Sequence, residues 1–128
     1  MTIRHNCETQ GCYIKEQTPD WGFTDSAFSG KIRIGDIDGA VEANGCLLLL
    51  EWKSVGAPLT KGQEIMYSRI TKNSNIIVFV INGDAKHTES DHLAVFKGGE
   101  LIYDDKANNE KIKLFCREWE TKARANEL

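Results

Sequence analysis

Two short apolar runs govern what this chain can fold into. Cys46 to Leu50 reads CLLLL and continues into Glu51-Trp52-Lys53, and the stretch from Asn75 to Gly83 reads NIIVFVING. Runs of this length, bounded by turn or charged residues, fit strands covered on both faces, and they fall far below the roughly 20 apolar residues that cross a bilayer. Between them, TKGQEIMYSRITK places Ile65, Met66, Arg69 and Ile70 at helical spacing behind a candidate N-cap, Thr60. Strand, helix and strand in this order predict a right-handed crossover, so the two strands are expected to be parallel neighbours.

Other elements attach to this unit. Upstream, KIRIGDIDGAVEA alternates polar and apolar residues and meets Asn44-Gly45, a strong hairpin signal, so a strand from Lys31 to Ala43 is expected to pair with the CLLLL run. Downstream, HLAVFKGGELIYDD predicts a hairpin turning at Gly98-Gly99. The tail predicts a helix with Ile112, Phe115, Cys116, Trp119 and Ala123 on one stripe. The first thirty residues carry weaker signals: Asn6 to Gln17 suits a short helix interrupted by Gly11, and DWGFTDSAFSG is turn-rich. The expected class is α/β in the broad sense, an α+β mixed sheet flanked by helices, in a single domain over 1–128.

Composition narrows the function classes. Sixteen Lys and Arg against nineteen Asp and Glu give a net charge of −3, so no global positive field draws in nucleic acid, and such binding must rest on local chemistry. The start MTIRHNCETQ has no hydrophobic signal region, and the four cysteines are irregularly spaced, which predicts reduced thiols and a cytoplasmic protein without a membrane partner. His5, Cys7 and Cys12 supply three possible zinc ligands, but no second close pair completes a set.

The chemistry-bearing residues gather around the predicted hairpin. Alternation along a strand places Asp36, Asp38 and Glu42 on one face of the first strand, and Glu51 and Lys53 on one face of the second, with Trp52 opposite. Asp38 stands six residues before Asn44 and Glu51 six after Gly45, which sets the two carboxylates directly across a two-residue hairpin. Facing carboxylates repel, and a hard divalent cation such as Mg²⁺ reverses the sign. A solvated strand face carrying cross-strand ion pairs fits the same spacing.

These residues, with Gln63-Glu64-Ile65-Met66-Tyr67, resemble the PD-(D/E)XK nuclease superfamily, and most closely its RecB and lambda-exonuclease-like branch. Gly35-Asp36-Ile37-Asp38 is similar to the branch's G-x-hydrophobic-D element, Glu51-Trp52-Lys53 to its E-x-K, and Gln63 to Tyr67 to its Q-x-x-x-Y helix, in the family's order over about residues 31–80. The resemblance implies a restriction-endonuclease-like core and a Mg²⁺-dependent deoxyribonuclease, with Mn²⁺ as a substitute. Asp38 and Glu51 would be metal ligands, the Trp52 carbonyl and Asp36 further ones, and Lys53 the catalytic lysine. Gln63 and Tyr67, one helical turn apart, would hold the substrate strand or brace Lys53.

The resemblance implies DNA as the partner, with RNA an alternative, endo- or exonuclease action open, and assembly into a homo-oligomer. A non-catalytic nucleic-acid- or protein-binding regulator on the same fold is the competing expectation. The family's usual acidic residue from a preceding helix has only Glu8 and Glu16 as counterparts. Lys31, Arg33, Lys61, Arg69 and Lys72 are available for phosphate contact or for ordinary surface solvation. His87 and His92 read as surface-loop residues, Phe115 and Trp119 as core, and Trp21 and Phe23 as loop aromatics able to stack on bases.

Overall fold

A computed structural model describes residues 19–128, which fall into two compact units, 19–36 and Ile37–Leu128. The possible helix over Asn6 to Gln17, the zinc candidates His5, Cys7 and Cys12, and the acidic candidates Glu8 and Glu16 lie outside the described residues.

In the first unit, Trp21–Ala27 forms a 3-10 helix capped by Asp20, whose carboxylate accepts from the Gly22 N–H at 2.8 Å. Trp21 and Phe23 stack with ring centroids 6.2 Å apart, and Arg33 pairs with Asp25 at 3.5 Å. No strand forms over Lys31 to Asp38, and Ile32, Ile34 and Ile37 are exposed, which corrects the expected start of the first strand. Alternation alone does not make a strand: a strand needs a partner ladder. Here the Asp38 carboxylate accepts the Trp52 N–H at 2.7 Å, taking the place a backbone carbonyl of a longer strand would fill.

The second unit is α+β, built on a five-stranded mixed sheet in the order β1-β2-β3-β4-β5. β1 (Gly39–Ala43) and β2 (Cys46–Lys53) are antiparallel around Asn44 and Gly45, whose φ values of 52° and 79° are those a type I′ turn requires. β2 runs parallel to β3 (Ile76–Asp84), and α1 (Lys61–Thr71) is the crossover between them. β4 (Glu89–Lys97) and β5 (Glu100–Lys106) complete the sheet as an antiparallel hairpin turning at Gly98 and Gly99, and α2 (Asn109–Arg124) follows. Among the described residues no helix is long and apolar enough to cross a membrane.

The two helices cover opposite sheet faces. Leu48, Ile77, Phe79, Ile81, Leu93 and Val95 pack beneath Ile112, Trp119 and Ala123 of α2, the stripe its spacing predicted. Leu49, Val78, Val80, Ala94 and Phe96 pack beneath Tyr67 and Ile70 of α1. Burial on both faces is why β2 and β3 read as continuous apolar runs, and each fully buried aliphatic side chain contributes about 1.5–3 kcal/mol. Of the residues at helical spacing in α1, Ile65 and Met66 are 41% and 47% exposed, whereas Tyr67 and Thr71 are buried. The α1 end is tied to the β4–β5 turn, where the Gly99 N–H donates to Thr71 Oγ1 at 3.0 Å and Ser68 Oγ donates to the Gly99 carbonyl.

Candidate active site

The site forms where β2 ends and α1 begins. Side chains of β2 alternate, so Leu47, Leu49, Glu51 and Lys53 face α1 while Leu48, Leu50 and Trp52 face α2. The β1–β2 register ends with Gly39 opposite Leu50, and Asp38, one residue before it, reaches the Trp52 N–H with its carboxylate. Asp36 belongs to the unit before β1 and lies in no strand, so the alternation expected to place it beside Asp38 is absent. Glu42 also serves a different purpose, accepting the Gly45 N–H at 2.8 Å within the hairpin turn.

Gln63 joins the strand to the helix. Thr60 caps α1 by accepting the Gln63 N–H at 3.1 Å, and Gln63 Oε1 accepts the Thr60 N–H at 3.1 Å in return, a complete capping box. The same Gln63 oxygen accepts from Lys53 Nζ at 3.0 Å. The ammonium is thereby held against the first turn of α1 rather than left to sweep its rotamers.

Tyr67, one turn on, is 3% exposed, with its ring 5.4 Å from that of Phe96. Its phenol pKa is pushed up to about 12, first by burial and then by the negative charges of Glu51 and Asp38. Asp38 and Glu51 thus both oppose ionisation of this phenol. Trp52 enters through its backbone, donating to Asp38, while its indole packs on the α2 side of the sheet.

Asn82 is a member of the site that sequence reasoning passed over. It is buried, stands beside Lys53 in the parallel ladder, and its Nδ2 donates to the carbonyls of Ser54 at 2.9 Å and Ala57 at 2.8 Å. One amide thus holds the loop between β2 and α1. Together Lys53, Ser54, Asn82, Ala57, Thr60 and Gln63 close a ring of covalent and hydrogen bonds around the strand end. The available signal was an amide in an otherwise apolar strand, since a buried polar group must be satisfied. Next to it, Gly83 permits a close approach: a Cβ there would lie 2.3 Å from the Glu89 carbonyl and 2.8 Å from Trp52 Cζ2.

Among the described residues no group of three or more His, Cys, Asp or Glu side chains is arranged to hold a metal. Asp38 and Glu51 are the two carboxylates whose charge acts on the Tyr67 phenol. The two described histidines have other partners: His87 Nδ1 lies 2.6 Å from Asp84 and holds that carboxyl below its usual range, and His92, on β4 rather than in a loop, places Nε2 2.8 Å from Asp104. Comparisons of the chain with protein-family models, with curated proteins and with solved structures found no match.

Proposed function

We propose that the chain is a divalent-metal-dependent nuclease of the PD-(D/E)XK type, on a restriction-endonuclease-like core, hydrolysing DNA phosphodiester bonds. The observation that carries the proposal is the Lys53–Gln63 hydrogen bond, formed on the sheet face that bears Glu51, whose negative charge acts together with that of Asp38 on Tyr67. A surface ion pair has no need of an amide built into a helix cap. A lysine that must stay at one point does.

The donor set fits a hard cation. Asp38 and Glu51 are oxygen ligands whose joint charge already acts on a buried phenol, and a cation between them offsets that cost. Mg²⁺, or Mn²⁺ in its place, would be held by these two residues and would supply polarisation of a phosphoryl oxygen and acidification of a water. The Trp52 N–H fixes Asp38 Oδ2 and so sets the direction of the other carboxylate oxygen. Lys53 presents positive charge where a phosphate gains negative charge in the transition state, and Gln63 keeps the ammonium there without a reorganisation cost. Tyr67 braces the floor from within the core and remains neutral at working pH.

The test is a cleavage panel of linear, circular, single-stranded and branched DNA, and RNA, with Mg²⁺ and with Mn²⁺. The parent protein is expected to cut, and Lys53→Ala and Asp38→Asn to lose on the order of a hundredfold or more in rate. Cleavage by both variants at the parent's rate would overturn the assignment. Binding of nucleic acid with neither cleavage nor any heat of Mg²⁺ binding would favour the non-catalytic regulator.

A further inference from the structure

Lys53 begins a row of polar residues that runs across the sheet. In register, Lys53 of β2 neighbours Asn82 of β3, Asn82 neighbours His92 of β4, and His92 neighbours Lys106 of β5. Partners in a ladder share a face, so the row lies on the α1 side, level with the strand end that carries the candidate catalytic lysine. Three strand spacings separate Lys53 from Lys106, about 14 Å, or roughly four axial steps of a nucleic-acid strand.

Over the far part of the row lies a groove of about 460 Å³, walled by Val55 and Ala57 on one side and by His92 and Lys106 on the other. Asn82 forms part of its lining and also fixes the wall through its bonds to Ser54 and Ala57. Val55 is 62% exposed, an apolar side chain at a polar mouth. His92 is oriented by Asp104, and its Nδ1 is enclosed with no partner among the described residues. Asp91, at the bulge that lets β4 meet Gly83, also borders the groove.

We infer that this groove is a nucleotide subsite, taking the nucleotide a few positions along the strand from the bond at Asp38 and Glu51. The inference rests on the proposed nuclease reading for its placement. The base lies against Val55 and Ala57, the strand's phosphate meets the Lys106 ammonium, and Asn82 ties the groove wall to the Lys53 strand end. Asp91 and Asp104 keep the local field mixed, so affinity comes from base and phosphate together, and a free inorganic phosphate binds poorly.

The experiment measures anisotropy of a short fluorescein-labelled single-stranded oligodeoxynucleotide in EDTA, with cleavage in Mg²⁺ followed separately. Lys106→Ala is expected to weaken binding about three- to tenfold, Lys106→Glu and Val55→Asp further, and Lys113→Ala, on the helix covering the opposite face, not at all. All three positions are solvent-exposed, so the melting temperature checks that each variant is folded. In the cleavage arm Lys106→Ala raises KM and leaves kcat unchanged. Binding unaffected by Lys106→Glu and Val55→Asp, or weakened as much by Lys113→Ala, overturns the subsite while leaving cleavage intact. A parent protein that shows Lys106-dependent binding but never cuts supports the subsite and overturns the nuclease reading instead.

Discussion

Lys53 Nζ and Gln63 Oε1 stand 3.0 Å apart, and the same oxygen closes the capping box of α1. The start of the helix and the position of the ammonium are therefore one structural event. A substitution that disturbs either is felt by both.

Gln63→Ala is expected to cost about 1 kcal/mol of stability through the lost cap, and to lower cleavage on the order of tenfold by releasing Lys53. Gln63→Glu keeps an acceptor that suits the capping box and should melt within a few tenths of a kcal/mol of the parent. Thermal melts alongside initial rates check the pair. Equal melting temperatures for Gln63→Ala and the parent would show that the cap bears no load.

Asn82→Leu preserves the approximate volume but leaves the Ser54 and Ala57 carbonyls without their donor. A loss of about 2 kcal/mol is expected, together with faster proteolytic nicking between Lys53 and Thr60. Denaturant titration and limited proteolysis measure the two effects. An unchanged cleavage pattern would mean that the loop is held by other contacts.

Tyr67 titrates late. Its ionisation is opposed in the folded protein, where the pKa is about 12 against 10.0 in an unfolded chain. The unfolded state therefore loses this proton first: stability is unaffected below pH 10 and falls as pH rises through 12. Absorbance titration of phenolate should show a late component that is missing in Tyr67→Phe and moved to lower pH in Asp38→Asn and in Glu51→Gln. No movement in either carboxylate variant would place those charges too far away to matter.

Gly83→Ala is expected to destabilise by about 3 kcal/mol or more, because the added carbon meets backbone atoms and the Trp52 ring with no flexible neighbour to yield. Calorimetry of the variant gives the value directly. A melting temperature equal to the parent's would contradict the close packing of β3, β4 and Trp52.

Much of this architecture was legible because its signals are local. Asn44-Gly45 and Gly98-Gly99 dictate turns through positive φ, Thr60 and Gln63 mark a helix start, and the apolar runs of β2 and β3 admit few alternatives. What misled was pattern without a partner. Ile32, Ile34 and Ile37 alternate as a strand does, yet no ladder receives them, and Ile65 and Met66 keep helical spacing while facing solvent. Which side of α1 turns inward was decided by Tyr67 meeting Phe96, with ring centroids 5.4 Å apart, rather than by hydrophobicity along the helix, and the Asn82 clamp joins residues 25 and 28 positions apart.

The hairpin carrying Asp38 and Glu51 is fastened at its tip from the far end of the chain. Asn44 Nδ2 donates to the Ala123 carbonyl and to Asn126 Oδ1, each at 3.0 Å. During synthesis the turn is made early, but its clasp arrives some eighty residues later, when the segment around Asn126 has cleared the ribosome. The tip of the hairpin is thus clasped by a segment made only after all five strands of the sheet.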